Sequence, residues 1–296
     1  MTSRLARPMM RGEQDDIENT SDNFDRLIKP TTKATTKLSK PSLLVPPGES
    51  NYFASGFVHS CIVRHVANSP SGNNTRYHFM FQGARVGCGE ENECAMIGEK
   101  QGNTIRIFDT SRSIPCFDSS KASSSRKKKS GNYLGKLKRD NTKLNFLLFD
   151  SKEESEQLAA FVFDSQSTFW KDGQPPRRLR MGVPLVRNDG TSENRRPLQI
   201  WKNRGKNQMA ENIKNNNSTG IQVFCTKEPS YERGQYRLNF NGRVTMASVK
   251  NMILLDLSEN TIAQFGKVGG HRFHLDFKHP LNALQAFALA LSCLNF

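Results

Sequence analysis

Apolar and polar residues alternate with a period of two along much of the chain, which is the spacing of strands that bury one face. Segments 57–66, 75–82, 103–108, 133–137 and 144–149 follow this pattern, and 179–186, 198–201, 221–225, 236–240, 247–257 and 273–277 read as further strands. Turn residues such as Asn241-Gly242 and Gly269-Gly270 separate them. Many short strands with regular punctuation predict a sandwich or a barrel. The face logic is clearest near the end, where His271, Phe273, Leu275 and Phe277 alternate with Arg272, His274, Asp276 and Lys278. One side is predicted apolar and the other wet. His271 and His274 then point to opposite faces, so they cannot share a metal and read as ordinary surface or rim residues.

The period changes over 281–296 (LNALQAFALALSCLNF), where no side chain is charged and Pro280 suits a first helical turn. This helix is apolar nearly all round, so it must be buried on every side or inserted in lipid. At ~1.5 Å per residue it reaches about 24 Å, short of a hydrocarbon core of ~30 Å. A helix buried inside the protein is therefore favoured over a tail anchor.

Charge adds a partner class. The 296 residues carry 43 Lys plus Arg against 28 Asp plus Glu, a formal net charge of +15, which predicts an anionic partner such as nucleic acid or a phosphoinositide-bearing membrane. The first fifty residues contribute only +1, are poor in aromatics and cannot bury enough apolar surface to offset ordering entropy. Residues 1–50 are read as a disordered arm, with Ile17, Phe24, Leu27 and Ile28 as a weak amphipathic turn for a partner, and 51–296 as the folded domain. Two windows hold the remaining excess, +8 over 121–139 and +6 over 177–204. The polar stretch 205–220 reads as a long flexible loop. The six cysteines, Cys61, Cys88, Cys94, Cys116, Cys225 and Cys293, form no CxxC pair and read as free thiols in a reducing compartment.

The sequence reads YRLNF-N-GRVT-M-ASVKN over 236–251, then QFGKV over 264–268 and PLNALQAFALALS over 280–292. This resembles the tubby C-terminal domain family, whose two signatures follow the same NF-x-GRVT-x-ASVKN and PL-x-ALQAFA-x-ALS patterns. The resemblance implies a mainly β fold, a closed antiparallel barrel of twelve strands around the hydrophobic C-terminal helix. It also implies a monomeric, non-enzymatic adaptor that binds phosphatidylinositol 4,5-bisphosphate in the inner leaflet. Such a protein is expected in the cytoplasm and peripherally on the plasma membrane, with delivery of membrane cargo to cilia or release to the nucleus as further roles. The short arm matches no ciliary-transport-binding helix of the family, so delivery to cilia is not carried by the barrel alone. Family members also continue for several polar residues past the point matched by Phe296.

The family's Gly-Lys-Leu-Arg headgroup segment stands here as Gly135, Lys136, Leu137 and Lys138. Lys136 matches, whereas Lys138 keeps the charge of the family arginine and loses its planar fork. Residues i and i+2 of a strand share a face about 6.6 to 7 Å apart, so both ammoniums can straddle adjacent ring phosphates. Arg139 is an auxiliary basic contact that compensates for the lost fork. The family's Pro-Arg-Lys segment is matched by Pro176, Arg177 and Arg178, with the guanidinium role on Arg177 and Arg178 auxiliary. The family asparagine corresponds to Asn103, whose amide can donate to a phosphate oxygen or simply face solvent. The run Arg126 to Lys129, beside Ser123 to Ser125, has three open readings: extra membrane attraction that phosphorylation would weaken, a nuclear import signal, or an inert solvated loop.

The alternative from another class is a nucleic-acid-binding transcription regulator using the same basic surface with Tyr133, Trp170 and Trp201. No recognition helix, zinc spacing or stacking motif supports base readout. The sequence carries no P-loop, GxSxG, HExxH or paired-carboxylate motif, so no enzyme, cofactor or metal is expected.

Overall fold

A computed structural model describes residues 56–69, 72–82, 94–110, 132–150, 152–164, 177–186, 200–202 and 208–296. Eight strands come first: β1 (Val58–Ser69), β2 (Gly72–Phe81), β3 (Cys94–Gln101), β4 (Thr104–Asp109), β5 (Asn132–Arg139), β6 (Asn145–Phe149), β7 (Gln157–Phe163) and β8 (Leu179–Pro184). After the short helix α1 (Gln208–Lys214) come β9 (Ile221–Thr226), the small hairpin β10 (Ser230–Glu232) and β11 (Gln235–Arg237), then β12 (Met252–Leu255), β13 (Thr261–Lys267), β14 (Arg272–Phe277) and helix α2 (Ala283–Asn295). All but the β10–β11 hairpin close into one barrel of twelve strands, ordered β1-β14-β13-β12-β9-β8-β7-β6-β5-β4-β3-β2. Every recorded pairing is antiparallel, and β1 meets β14 to close the cylinder, with Val58 opposite Phe277. This is the architecture that the family resemblance implies.

The barrel is filled by α2. Every residue from Ala283 to Leu294 is buried, and Leu284, Phe287 and Leu291 share one apolar core with inward side chains such as Ile62, Phe79, Leu137, Phe161, Phe224 and Leu275. An all-round apolar helix has only one way to escape water in a single domain, which is to be enclosed. Its start corrects the sequence reading. Pro280 lies ahead of the helix, after a cis bond from His279, and Asn282 is the N-cap. The Asn282 side chain accepts from the Gln285 amide at 2.8 Å while Gln285 Oε1 accepts from the Asn282 amide at 3.1 Å, a reciprocal capping box.

The stretch read as a loop over 205–220 also differs, because it contains α1. Strands β6 and β7 are buried on both faces. Leu147, Phe149, Ala160 and Val162 point outward and would be wet without cover, and α1 supplies it through Met209, Ala210 and Ile213, joined by Trp201. Gly182 lets α1 approach, since a Cβ there would lie 2.8 Å from Ile213 Cδ1. Uniform apolarity, not alternation, is the mark of strands with two buried faces, and it explains why β7 follows no period of two. Strands β3 and β13 are also additions to the sequence reading, as both carry adjacent buried pairs, Ala95-Met96 and Ile262-Ala263.

Other segments shrink. Within 236–240 only Tyr236 and Arg237 pair, within 247–257 the strand is limited to Met252–Leu255, and Asn103 sits in the turn before β4. Ile200 and Trp201 belong to no strand, and Lys202 makes an isolated bridge to Glu156. The face of β14 predicted to be wet is so only in part: Arg272 is exposed and His274 half-buried, but Asp276 is fully buried. The Arg243 guanidinium donates to both Asp276 oxygens at 2.6 and 2.8 Å, Gln264 donates at 2.7 Å and His59 Nδ1 lies 2.8 Å away. Burial alone would raise the Asp276 carboxyl, but these partners hold it below its ordinary value. His274 is not an ordinary surface histidine either, with Nδ1 2.8 Å from the Arg243 carbonyl.

Cys61, Cys94, Cys225 and Cys293 are free thiols. The arm 1–50, Cys88, Cys116, Trp170, Pro176 and the run 121–129 lie outside the described residues. Among the described residues no helix is long and apolar enough to cross a membrane.

Candidate anion-binding site

Strand β5 places the two lysines. Gly135 and Leu137 turn into the barrel, so Lys136 and Lys138 turn out, with Arg106 and Thr104 of β4 directly across from them. Gly135 is required by close strand approach, because a Cβ there would stand 2.4 Å from the Phe149 carbonyl oxygen. The turn between β6 and β7 folds against the outward face of β5. Asp150 organises that turn by accepting from the Glu156 amide at 2.9 Å and from the Ser155 hydroxyl at 3.1 Å. Its tip presents Glu154, in a left-handed backbone conformation at φ 58°.

Both ammoniums converge on that carboxylate. Lys136 Nζ is 2.8 Å from Glu154 Oε1, and Lys138 Nζ donates to Oε1 at 3.1 Å and Oε2 at 3.2 Å. Lys136 also donates to the Lys152 carbonyl at 2.7 Å. Burial would raise the Glu154 carboxyl, but the hydrogen bonds and charges of the two lysines outweigh it and hold the group below its ordinary value. Close by, burial pushes the Tyr133 hydroxyl up to about 12, and Asp150, Glu153 and Glu154 push the same way against Arg106.

The other predicted cations face a different structure. Arg177 Nη1 donates to the Cys293 carbonyl at 2.9 Å and Lys250 Nζ reaches the Leu294 carbonyl at 3.4 Å, so both attend the C-terminal end of α2. That helix has no basic residue in its own last turn, and unpaired carbonyls there favour cations brought from elsewhere. Arg139 and Arg177 flank the Phe296 ring at 5.9 and 4.8 Å, and Phe296 stacks on Phe163. Burial, with the nearby Arg139 charge, lowers the Arg177 guanidinium from its ordinary value. Burial and then Arg177 and Arg64 do the same to Lys250.

Asn103 is exposed beside these groups, and its carbonyl accepts the Arg139 amide at 2.8 Å. Arg178 is paired with Glu228 at 3.0 Å on the exposed surface. The geometry thus joins Lys136 with Lys138, and Arg139 with Arg177, around two different centres. Glu154 and Lys250 are additions to the residues read from sequence. Lys250 lies inside the ASVKN motif, whereas nothing around Glu154 advertises its partners. Gathered ammoniums of this kind can hold a multiply charged phosphate ester through charge-assisted hydrogen bonds. Among the described residues no group of three His, Cys, Asp or Glu is placed to hold a metal ion.

A model of the Tub family matches residues 51–296. The chain belongs to the Tub family. Tubby protein homolog 1 of Caenorhabditis elegans is 29% identical over 181 residues, covering 54% of this chain and 40% of the relative. Tubby-related protein 1 of Mus musculus is 31% identical over 184 residues, covering 54% of this chain and 31% of the relative. Tubby-related protein 2 of Homo sapiens is 34% identical over 124 residues, covering 40% and 23%. The matches therefore span well under half the length of these relatives. For a Tub-family domain the GRVT motif has a structural duty here, since its Arg243 neutralises buried Asp276.

Proposed function

We infer that this Tub-family barrel is a membrane-tethering module that binds phosphatidylinositol 4,5-bisphosphate, with no catalytic role. The observation that carries this reading is the convergence of Lys136 and Lys138 on a single oxygen, Glu154 Oε1, at 2.8 and 3.1 Å. Two ammoniums that can share one oxyanion can share a phosphate oxygen, and their strand spacing suits vicinal phosphates. Arg106 borders the same face, directly across from Lys136, and the closed barrel makes a stiff platform for it. The protein then sits in the cytoplasm and on the inner leaflet of the plasma membrane, with release to the nucleus as a further role and delivery of cargo to cilia only where something besides the barrel supplies the contact to ciliary transport. Duplex DNA is the weaker ligand: α2 is enclosed, and α1 packs Met209, Ala210 and Ile213 on the sheet, so neither offers a free helix to a groove.

The test compares phosphatidylcholine vesicles with and without the bisphosphate lipid against duplex DNA at two salt concentrations. Recruitment is expected only to bisphosphate vesicles, and Lys136→Ala with Lys138→Ala should abolish it. Unchanged recruitment of the double variant, or steeply salt-dependent DNA binding with indifference to lipid, would refute the reading.

A further inference from the structure

We propose that Glu154 is an autoinhibitory competitor for the lysine pair, a built-in carboxylate that any anionic headgroup must displace, so that weakly held headgroups fall below the threshold for binding and a headgroup with two phosphates stays above it. This inference rests on the function proposed above and adds a residue to it that the family motif does not contain.

The geometry is that of a competitor. Glu154 occupies both ammoniums at once, through one oxygen to Lys136 and both oxygens to Lys138. It is held there by a turn with its own internal bonds, Asp150 accepting from Glu156 and Ser155, and by the Lys136 bond to the Lys152 carbonyl. The clamp is nevertheless open to exchange, because the Lys138 side chain is 48% exposed and the Glu154 side chain 21%. Lys152, two residues before Glu154, rests its ammonium 5.7 Å from the Tyr133 ring centroid and so stands beside the same turn.

The charge arithmetic decides who wins. Lys136, Lys138 and Glu154 together carry a net charge of +1. A monoanionic headgroup that replaces Glu154 exchanges one negative charge for another and gains little. A bisphosphate brings more charge than it displaces and also leaves Glu154 free to return to solvent. The cost of freeing the two ammoniums from Glu154 is the same for every headgroup, so it lowers all affinities by one factor and leaves only the strongest ligand bound at a given lipid density. The carboxyl is held below its ordinary value, so the competitor remains ionised through neutral pH.

The experiment uses Glu154→Gln, which keeps shape and hydrogen-bonding capacity while removing the charge. Wild type and variant are titrated with phosphatidylcholine vesicles containing phosphatidylserine, a phosphatidylinositol monophosphate, or phosphatidylinositol 4,5-bisphosphate. Affinity for all three is expected to rise by a similar factor, roughly tenfold, because displacing Glu154 costs each headgroup the same, and the weaker two should become measurable ligands. Mono- and bisphosphorylated inositols in solution should show the same rise, and a rise confined to vesicles overturns the proposal. If wild type binds bisphosphate vesicles and the variant binds none of the three lipids more tightly, the proposal fails while the proposed function stands. If neither protein binds any anionic vesicle, the proposed function falls and this inference with it.

Discussion

Lys136 and Lys138 hold a side-chain carboxylate, whereas Arg177 and Lys250 hold main-chain carbonyls at the end of an enclosed helix. A phosphate can take the place of the carboxylate with little disturbance, but no ligand can replace the carbonyl of Cys293 in its helix. Equal charges thus have unequal freedom. Arg243, paired with buried Asp276, belongs with the second group. A net charge of +15 overstates what is available to a partner, because some of the cations behind it are committed to the fold.

The sharpest way to break this division is Arg243→Ala. It leaves Asp276 buried with only His59 and Gln264 as partners, and loss of one member of a buried ion pair is expected to cost about 3 kcal/mol. At a few degrees per kcal/mol for a domain of this size, Tm should fall by roughly 10 °C by calorimetry. Next is Arg177→Ala, which deprives the Cys293 carbonyl of a charged donor and should lower stability by about 2 kcal/mol in urea unfolding. A variant that lost lipid recruitment with an unaltered unfolding midpoint would move Arg177 into the ligand-facing group.

Acid gives a third, smaller effect. Burial, then His65 and Arg76, push the His78 imidazole down to about 4. The folded state therefore binds fewer protons than the unfolded chain between pH 6.5 and about 4. Stability is full above that window and declines as pH falls through it, by at most about 3 kcal/mol for the full shift and by less once solvent screens the half-buried ring. His78→Gln should flatten the decline measured by circular dichroism. The smallest stability effect belongs to Lys136→Ala with Lys138→Ala, expected within about 0.5 kcal/mol of wild type, even as recruitment to bisphosphate vesicles is lost. A large drop in its Tm would erase the distinction between the two groups.

The enclosed helix was legible because it has no charge and almost no polar side, and twelve residues of it are indeed buried. Strands with one wet face were legible for the converse reason. β7 was not, since α1 covers its outer side and removes any need for polar residues there, and α1 itself has only three apolar residues to betray its docking. The lysine pair stands in a recognisable GKLK segment. Its partner Glu154 does not, because their meeting depends on a left-handed turn sixteen residues away. The contact between Arg177 and Cys293 joins positions 116 residues apart, and no local pattern encodes it.

The order of elements has a consequence for biosynthesis. Since α2 follows all twelve strands and β1 pairs with β14, the ribosome delivers the filling of the cylinder after its wall. Until then the inward phenylalanines and leucines have nothing to enclose, and nascent chains should depend on chaperones until translation has released the last turn.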